Sequence, residues 1–217
     1  MDSKEGEIEV RQLYELEDFG PSKAVARFRE MGVGSKKWTG GNMLKTITLI
    51  LAVLIAGVLI LAATKPDTFR VQRSASIKAP PEKVFALIND FNRWGAWSPW
   101  EKKDPAMKRT FGAATSGKGA VYAWEGNKDI GQGRMEIAES VPPSKVAITL
   151  DFVKPFEAHN RVEFTLEPKG DATNVVWTMQ GDTPYFAKII HVFINMDSMV
   201  GKDFEAGLAG LKAIAEK

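Results

Sequence analysis

The spacing of apolar residues changes character twice along the chain, and each change marks a different environment. Up to Gly41 the pattern is mostly polar, with two short helical periodicities, Ile8 to Leu16 and Ser22 to Met31. Phe19-Gly20-Pro21 separates them and a glycine-rich stretch comes after. Segments this short cannot enclose a core, so residues 1–42 read as a peripheral tail. From Thr46 to Ala63 (TITLILAVLIAGVLILAA) no charge appears and no polar stripe interrupts the run. As a helix it would be about 27 Å long, close to the hydrocarbon thickness of a bilayer. A surface helix of a globular protein keeps a polar face, and this run has none. One transmembrane helix is therefore expected within residues 43–64. Met43-Leu44-Lys45 resembles a short basic signal start, but Leu61-Ala62-Ala63 is a poor cleavage site, which favours an anchor that stays attached. Arg27, Arg29, Lys36, Lys37 and Lys45 before the helix balance Lys65, Arg70, Arg73, Lys78 and Lys83 after it, so the positive-inside rule gives no orientation. If Met43 is the start, an N-terminal anchor usually carries the downstream chain across the membrane. A single-pass protein with its globular part outside the cytoplasm is expected.

Beyond the anchor, residues 67–217 alternate between strand and helix periods. FRVQRSASI from Phe69 reads as a strand. Pro81 then opens a helix with Val84, Phe85 and Ile88 on one face. Six strand patterns come next: Lys108 to Phe111, Ala120 to Glu125, Gly131 to Val141, Lys145 to Val153, Ala158 to Glu167 and Asn174 to Gln180. Their separators are turn chemistry such as Gly126-Asn127-Lys128-Asp129 and Pro142-Pro143-Ser144, so neighbouring strands are expected to be antiparallel. Val146, Ile148, Leu150 and Phe152 share one face, as do Val162, Phe164 and Leu166, so one side of the sheet is buried. The chain closes on a helical stripe running from Phe186 to Ile214. Thr183 is a candidate cap, Pro184 a first-turn residue, and Asp197 a second cap where the tract breaks. Gly201, Gly207 and Gly210 weaken this helix, so they are expected to allow close backbone approach or to leave room for something.

Composition narrows the chemistry. The 29 Lys and Arg against 27 Asp and Glu leave a net charge of +2, which points to no polyanion, and nucleic acid is not an expected partner. There is no cysteine, and His159 and His191 are the only histidines, so neither thiolate chemistry nor a multi-histidine metal centre is expected. No nucleophile–base pair, divided carboxylate pair or metal shell is legible, and no cofactor is expected. His159 and Arg161 alternate with Val162 and Phe164, so they point outwards. Glu125 and Glu136 could turn inwards only through a bulge. Gly131-Gln-Gly-Arg lacks the context of a phosphate loop and reads as a turn. Lys102, Lys103, Lys108 and Arg109 could meet lipid head groups, but Glu101 and Asp104 among them suit a solvated surface better.

The stretch IKAPPEKVFALINDFNRWGAWSPWEKKDPAMKRTF, the strand AVYAWEGN, GRMEI, the hairpin VPPSKVAITLDFVKPFEAHNRVEFTLEP and the terminal GKDFEAGLAGLK are similar to the polyketide cyclase/dehydrase-like branch of the START and Bet v 1-like superfamily. The resemblance spans about Phe69 to Lys217. It implies an α+β helix-grip fold, in which a curved antiparallel sheet wraps on a long C-terminal helix, here preceded by one transmembrane helix. It also implies a hydrophobic cavity between sheet and helix whose lip is built from two short helices. On that basis Trp94, Trp97, Trp100, Tyr122, Trp124, Ile148, Leu150, Phe164, Trp177, Met179, Met199 and Phe204 are the candidates for the cavity or its rim. Trp94, Trp97 and Trp100 recur every third residue and can stack along one side of a tight helix, either bordering a ligand entrance or clamping the helix to the sheet. Trp100, beyond Pro99, is the rim candidate. The expected function is membrane-anchored binding of a hydrophobic small molecule or lipid. A polyketide cyclase/dehydrase-like enzyme using an inward Glu or Tyr, and a protein-interaction module with a filled core, are the alternatives. A protein partner cannot be named from the residues.

Overall fold

The computed structural model describes residues 40–217, so the two tail periodicities, Ile8 to Leu16 and Ser22 to Met31, lie outside the described residues. The chain divides into two bodies within its first described helix, after Val53. That helix, α1 (Gly40–Ala63), contains a 22-residue span from Asn42 to Ala63 that is long and apolar enough to cross a bilayer. Its leucines, isoleucines and valines are almost all exposed, so it is not the core helix of a globular domain.

The second body contains the sheet domain. Its elements after α1 are β1 (Thr68–Ile77), α2 (Pro81–Ile88), a 3-10 turn (Phe91–Arg93), and the short helices α3 (Trp94–Trp97) and α4 (Trp100–Lys103). Then come β2 (Lys108–Phe111), β3 (Val121–Glu125), β4 (Gln132–Val141), β5 (Lys145–Lys154), β6 (Ala158–Lys169), β7 (Ala172–Asp182), α5 (Tyr185–Phe193) and α6 (Met196–Ala215). The strands form one antiparallel seven-stranded sheet in the order β1-β7-β6-β5-β4-β3-β2. Short turns make the meander from β2 to β7. β1, first in sequence, closes the sheet by pairing along all ten of its residues with β7. Two register shifts in β4, at Gln132/Gly133 and Ile137/Glu139, bend the ladder so that the sheet curves. With the long α6 lying across its concave face, this is the helix-grip α+β architecture.

Alternation decides which residues face the core. Thr173, Val175, Trp177 and Met179 of β7 and Val162, Phe164 and Leu166 of β6 are buried, and α6 meets them with Phe204, Leu208, Leu211 and Ala215. The glycines of α6 bring it close to the sheet. A Cβ on Gly207 would stand 2.7 Å from the Trp177 ring, and one on Gly210 would stand 2.7 Å from the Trp97 carbonyl oxygen. Gly201 leaves room for the Arg73 guanidinium, which crosses from β1 to Asp197 at 2.9 Å and Glu205 at 2.7 Å.

Two helix starts differ from the expectation. Asn195, not Asp197, caps α6, its side chain accepting from the Ser198 N–H at 3.0 Å; Asp197 is drawn instead to Arg73. Thr183 does not cap α5. The helix begins after Pro184, and the Thr183 hydroxyl is buried with no hydrogen-bond partner among the described residues.

Candidate binding site

The polar stretch holding three tryptophans folds around the end of α2. Asp90 accepts from the Asn92 N–H at 3.0 Å and turns the chain into the 3-10 segment and α3. Trp94 Nε1 then donates to the Ile88 carbonyl at 2.9 Å, and Trp97 Nε1 to the Leu87 carbonyl at 3.1 Å. The last carbonyls of a helix have no partner within the helix, and here two indoles supply it. The rings reach inward from these anchor points. Trp97 lies edge-on to Phe164 and Trp177, Trp94 contacts Phe91 and Phe164, and Trp177 stacks on Phe204 with centroids 4.1 Å apart. Trp100, beyond Pro99, is half-buried with its ring edge-on to Trp177 and Phe204.

Most of the candidate residues converge on one continuous aromatic and aliphatic core between sheet and helix. Trp94, Trp97, Tyr122, Trp124, Ile148, Leu150, Phe164, Trp177, Met179 and Phe204 are all buried there; Met199 alone of the candidates is exposed. Trp124 reaches across the bare Gly133 and donates to the Ile130 carbonyl at 3.1 Å. At the centre of this core the Trp177 N–H has no acceptor among the described residues. A buried donor left unpaired costs about 1–3 kcal/mol, so this is a polar atom with binding capacity to spare.

A carboxylate does approach the core. Glu101 accepts from Tyr122 Oη at 2.6 Å and from Arg109 Nε at 2.7 Å. Burial, then the Glu101 contact, pushes the Tyr122 hydroxyl well above its ordinary range, so it is a fixed donor at neutral pH rather than a base. Both oxygens of Glu101 are thus engaged in joining α4 to β2 and β3. His159 is exposed and bonded to Asp151 at 2.7 Å, Glu125 is exposed, and Glu136 is paired with Arg134. Among the described residues no three His, Asp or Glu side chains gather as a metal set.

Open space lies beside the core. A groove of about 560 Å³ runs between the start of β1 and the α5–α6 joint. Phe69, Val71, Val192, Phe193, Ile194 and Met196 give it apolar walls, and Lys65, Arg70, His191 and Asp197 line it with charge or polarity. Thr183, with its unpartnered buried hydroxyl, lines it as well. Burial, reinforced by the charge of Lys65, holds His191 below the usual histidine range, so its ring is neutral at pH 7. A smaller hollow of about 230 Å³ lies along β3 and β4, and Trp124 is the one candidate residue that lines it. The residues of the larger groove were not singled out as a site from sequence, because they come from three separate segments. The available signal was the KIIHVF run, apolar on nearly every side of a short helix.

No curated protein matches the chain by sequence. Among solved structures, protein CV1439 from Chromobacterium violaceum aligns over 70% of this chain and 99% of its own, at 17% identity and a TM-score of 0.51. The Aha1 dimer from Colwellia psychrerythraea aligns over 68% and 96%, at 16% identity and 0.50. A protein from Nitrosospira multiformis aligns over 68% and 96%, at 18% identity and 0.50. At such identities these likenesses speak to the fold. The family described as polyketide cyclase / dehydrase and lipid transport matches residues 68–216, the whole sheet domain from β1 to the end of α6. That extent, with the fold, supports a ligand-binding domain, and the chain belongs to the polyketide cyclase / dehydrase and lipid transport family.

Proposed function

We propose that the protein is a membrane-anchored binding domain that holds a lipid or similar hydrophobic small molecule in the groove between β1 and the α5–α6 joint. The observation that carries this reading is the groove itself. Its volume of about 560 Å³ is that of a small-molecule site, and its lining is polar and apolar in about equal measure, which suits an amphiphile. Apolar burial supplies affinity at about 25 cal/mol per Å². Lys65 and Arg70 suit an anionic head group, Asp197 is already engaged by Arg73, and the Thr183 hydroxyl offers a ligand the hydrogen bond it lacks. The helix α1 would hold the domain beside a reservoir of lipid, on the non-cytoplasmic side if it acts as an N-terminal anchor of the usual kind.

The test is native mass spectrometry of the full chain in nanodiscs, before and after exchange of the surrounding lipid. The wild type is expected to retain a stoichiometric amphiphile. Ile194→Trp, which fills the groove, should lower its affinity about tenfold, or roughly 1.4 kcal/mol, with an unchanged circular dichroism spectrum. Equal retention by both proteins would remove the groove from consideration.

Acidity gives a second readout. Protonating His191 adds a cation to a groove already lined by Lys65 and Arg70, so binding of phosphatidylglycerol should strengthen as the pH falls below the ordinary histidine range. Binding of a neutral diacylglycerol should not change, and His191→Gln should abolish the difference. For folding the sign is opposite. The depressed pKa stabilises the fold fully above the unfolded-state value, and that stability is lost as the pH falls through the folded one.

One observation favours a second reading. The gap under α6 is packed with aromatic rings, as a protein-interaction module with a dry core would be. A chain that retains no small molecule in the nanodisc experiment would support it.

A further inference from the structure

The helix α5, YFAKIIHVF, is inside out for a helix in water. Its lysine is the residue it buries: the Lys188 stem is covered and its ammonium pairs with the exposed Asp67 carboxylate. Its aromatic residues are left outside, with Phe186 56% and Phe193 71% exposed and Tyr185 also open, as is Ile194 just past its end, while Ile189, Ile190 and Val192 are half-buried. The β5–β6 turn extends the surface, since Phe156 is 60% exposed and its ring lies 5.4 Å from that of Phe186. A cluster of this kind on a monomer marks a surface that meets something apolar. Pairing with Asp67 neutralises the helix's only lysine, the group that would most oppose such contact, and the neighbouring His191 is neutral at pH 7.

The covalent chain limits the choice of partner. Four residues, Thr64 to Asp67, separate the end of α1 from β1, a reach of roughly 14 Å at most. Asp67 is itself fixed to the start of α5, its carbonyl accepting from the Thr183 N–H at 2.6 Å and its carboxylate from Lys188. The exposed aromatics therefore lie at the end of the domain where the anchor leaves it. Lys65 and Arg70 stand at the same end, where they can meet phosphates, while the charge of Asp67 is met by Lys188 and Glu157 is the acid beside Phe156.

We propose that α5 and the β5–β6 turn form an interfacial surface that lies on the bilayer, with Phe156, Phe186 and Phe193 at the boundary between head groups and acyl chains. This rests on the reading of α1 as a membrane anchor. Phe193 and Ile194 belong both to this surface and to the wall of the groove, so a lipid could pass from one to the other without crossing water.

Because the chain has no cysteine, single substitutions report cleanly. Full-length Leu54→Cys, Phe186→Cys and Asp171→Cys, the last in the β6–β7 turn at the opposite end of the sheet, would each carry an environment-sensitive fluorophore. They would be reconstituted in phosphatidylcholine–phosphatidylglycerol vesicles containing nitroxide lipids of two depths. The label at 54 should be quenched by the deep nitroxide, the label at 186 about twofold by the shallow one, and the label at 171 by neither. If the labels at 186 and 171 behave alike while that at 54 is quenched, the docking surface is refuted and the anchor stands. An unquenched label at 54 refutes the anchor, and this inference with it. As a check on the labelled position, Phe186→Asp with Phe193→Asp should release a label at Phe156→Cys from the shallow quencher; no change there would also overturn the proposal.

Discussion

Truncating Trp97 to alanine is expected to lower the unfolding free energy of the domain by about 3–5 kcal/mol, the range for removing a fully buried aromatic side chain. Its ring lies among Trp94, Phe164 and Trp177, and its N–H holds the Leu87 carbonyl at the end of α2. A comparison with Trp177 separates the two contributions. Trp97→Phe keeps an aromatic ring but leaves the Leu87 carbonyl unpaired. Trp177→Phe removes an N–H that has no acceptor among the described residues. The first should therefore cost about 1–2 kcal/mol more than the second, although both delete the same atoms. Urea unfolding of the full chain followed by far-ultraviolet circular dichroism measures both. Equal losses would mean that the indole bonds carry no weight and packing alone holds the helix end.

Gly210→Val should destabilise the domain even though it replaces a residue that weakens the helix. In an isolated helix, replacing glycine by alanine is worth about 1 kcal/mol of propensity, and valine somewhat less. Here the new Cβ would meet the Trp97 carbonyl oxygen at 2.7 Å, a backbone atom that cannot rotate aside, so α6 must lift from α3. Overpacking of this kind costs about 1–3 kcal/mol and sometimes more, which outweighs the propensity gain. Gly207→Ala presses on the Trp177 ring, a side chain that can shift, and should cost less. A thermal melt in which Gly210→Val matched or exceeded the wild type would show that α6 does not seat as closely as the glycines allow.

Much of the fold is legible along the chain. Strand alternation, turn residues and the proline opening α2 are local signals, and all six patterns read after the tryptophans are strands. The uncharged run from Thr46 is equally local, since hydropathy alone marks a span long enough for a bilayer. Caps are less legible. Thr183 and Asp197 have the right chemistry for caps, but Asp197 is claimed by Arg73 from a strand 124 residues away in sequence. Competition between a local bond and a distant charge is invisible along the chain.

The candidate residues divide along the same line. Their side chains could be assigned to the buried face from periodicity, yet whether that face encloses a cavity depends on how closely α6 approaches. Gly207 and Gly210 set that distance only once Trp177 and the Trp97 carbonyl stand opposite them. Sequence by itself determined the apolar span, the order of strands and helices and the family, because each rests on short-range patterning of apolar residues and turns. Tertiary structure alone decided that the candidate aromatics pack on one another beneath α6, that the open groove lies between β1 and the α5–α6 joint, and that Lys188 is covered and paired with Asp67 while three phenylalanines turn out. Those outcomes depend on which distant side chains meet, and burial and ion pairing across the fold, not propensity within a segment, fix them.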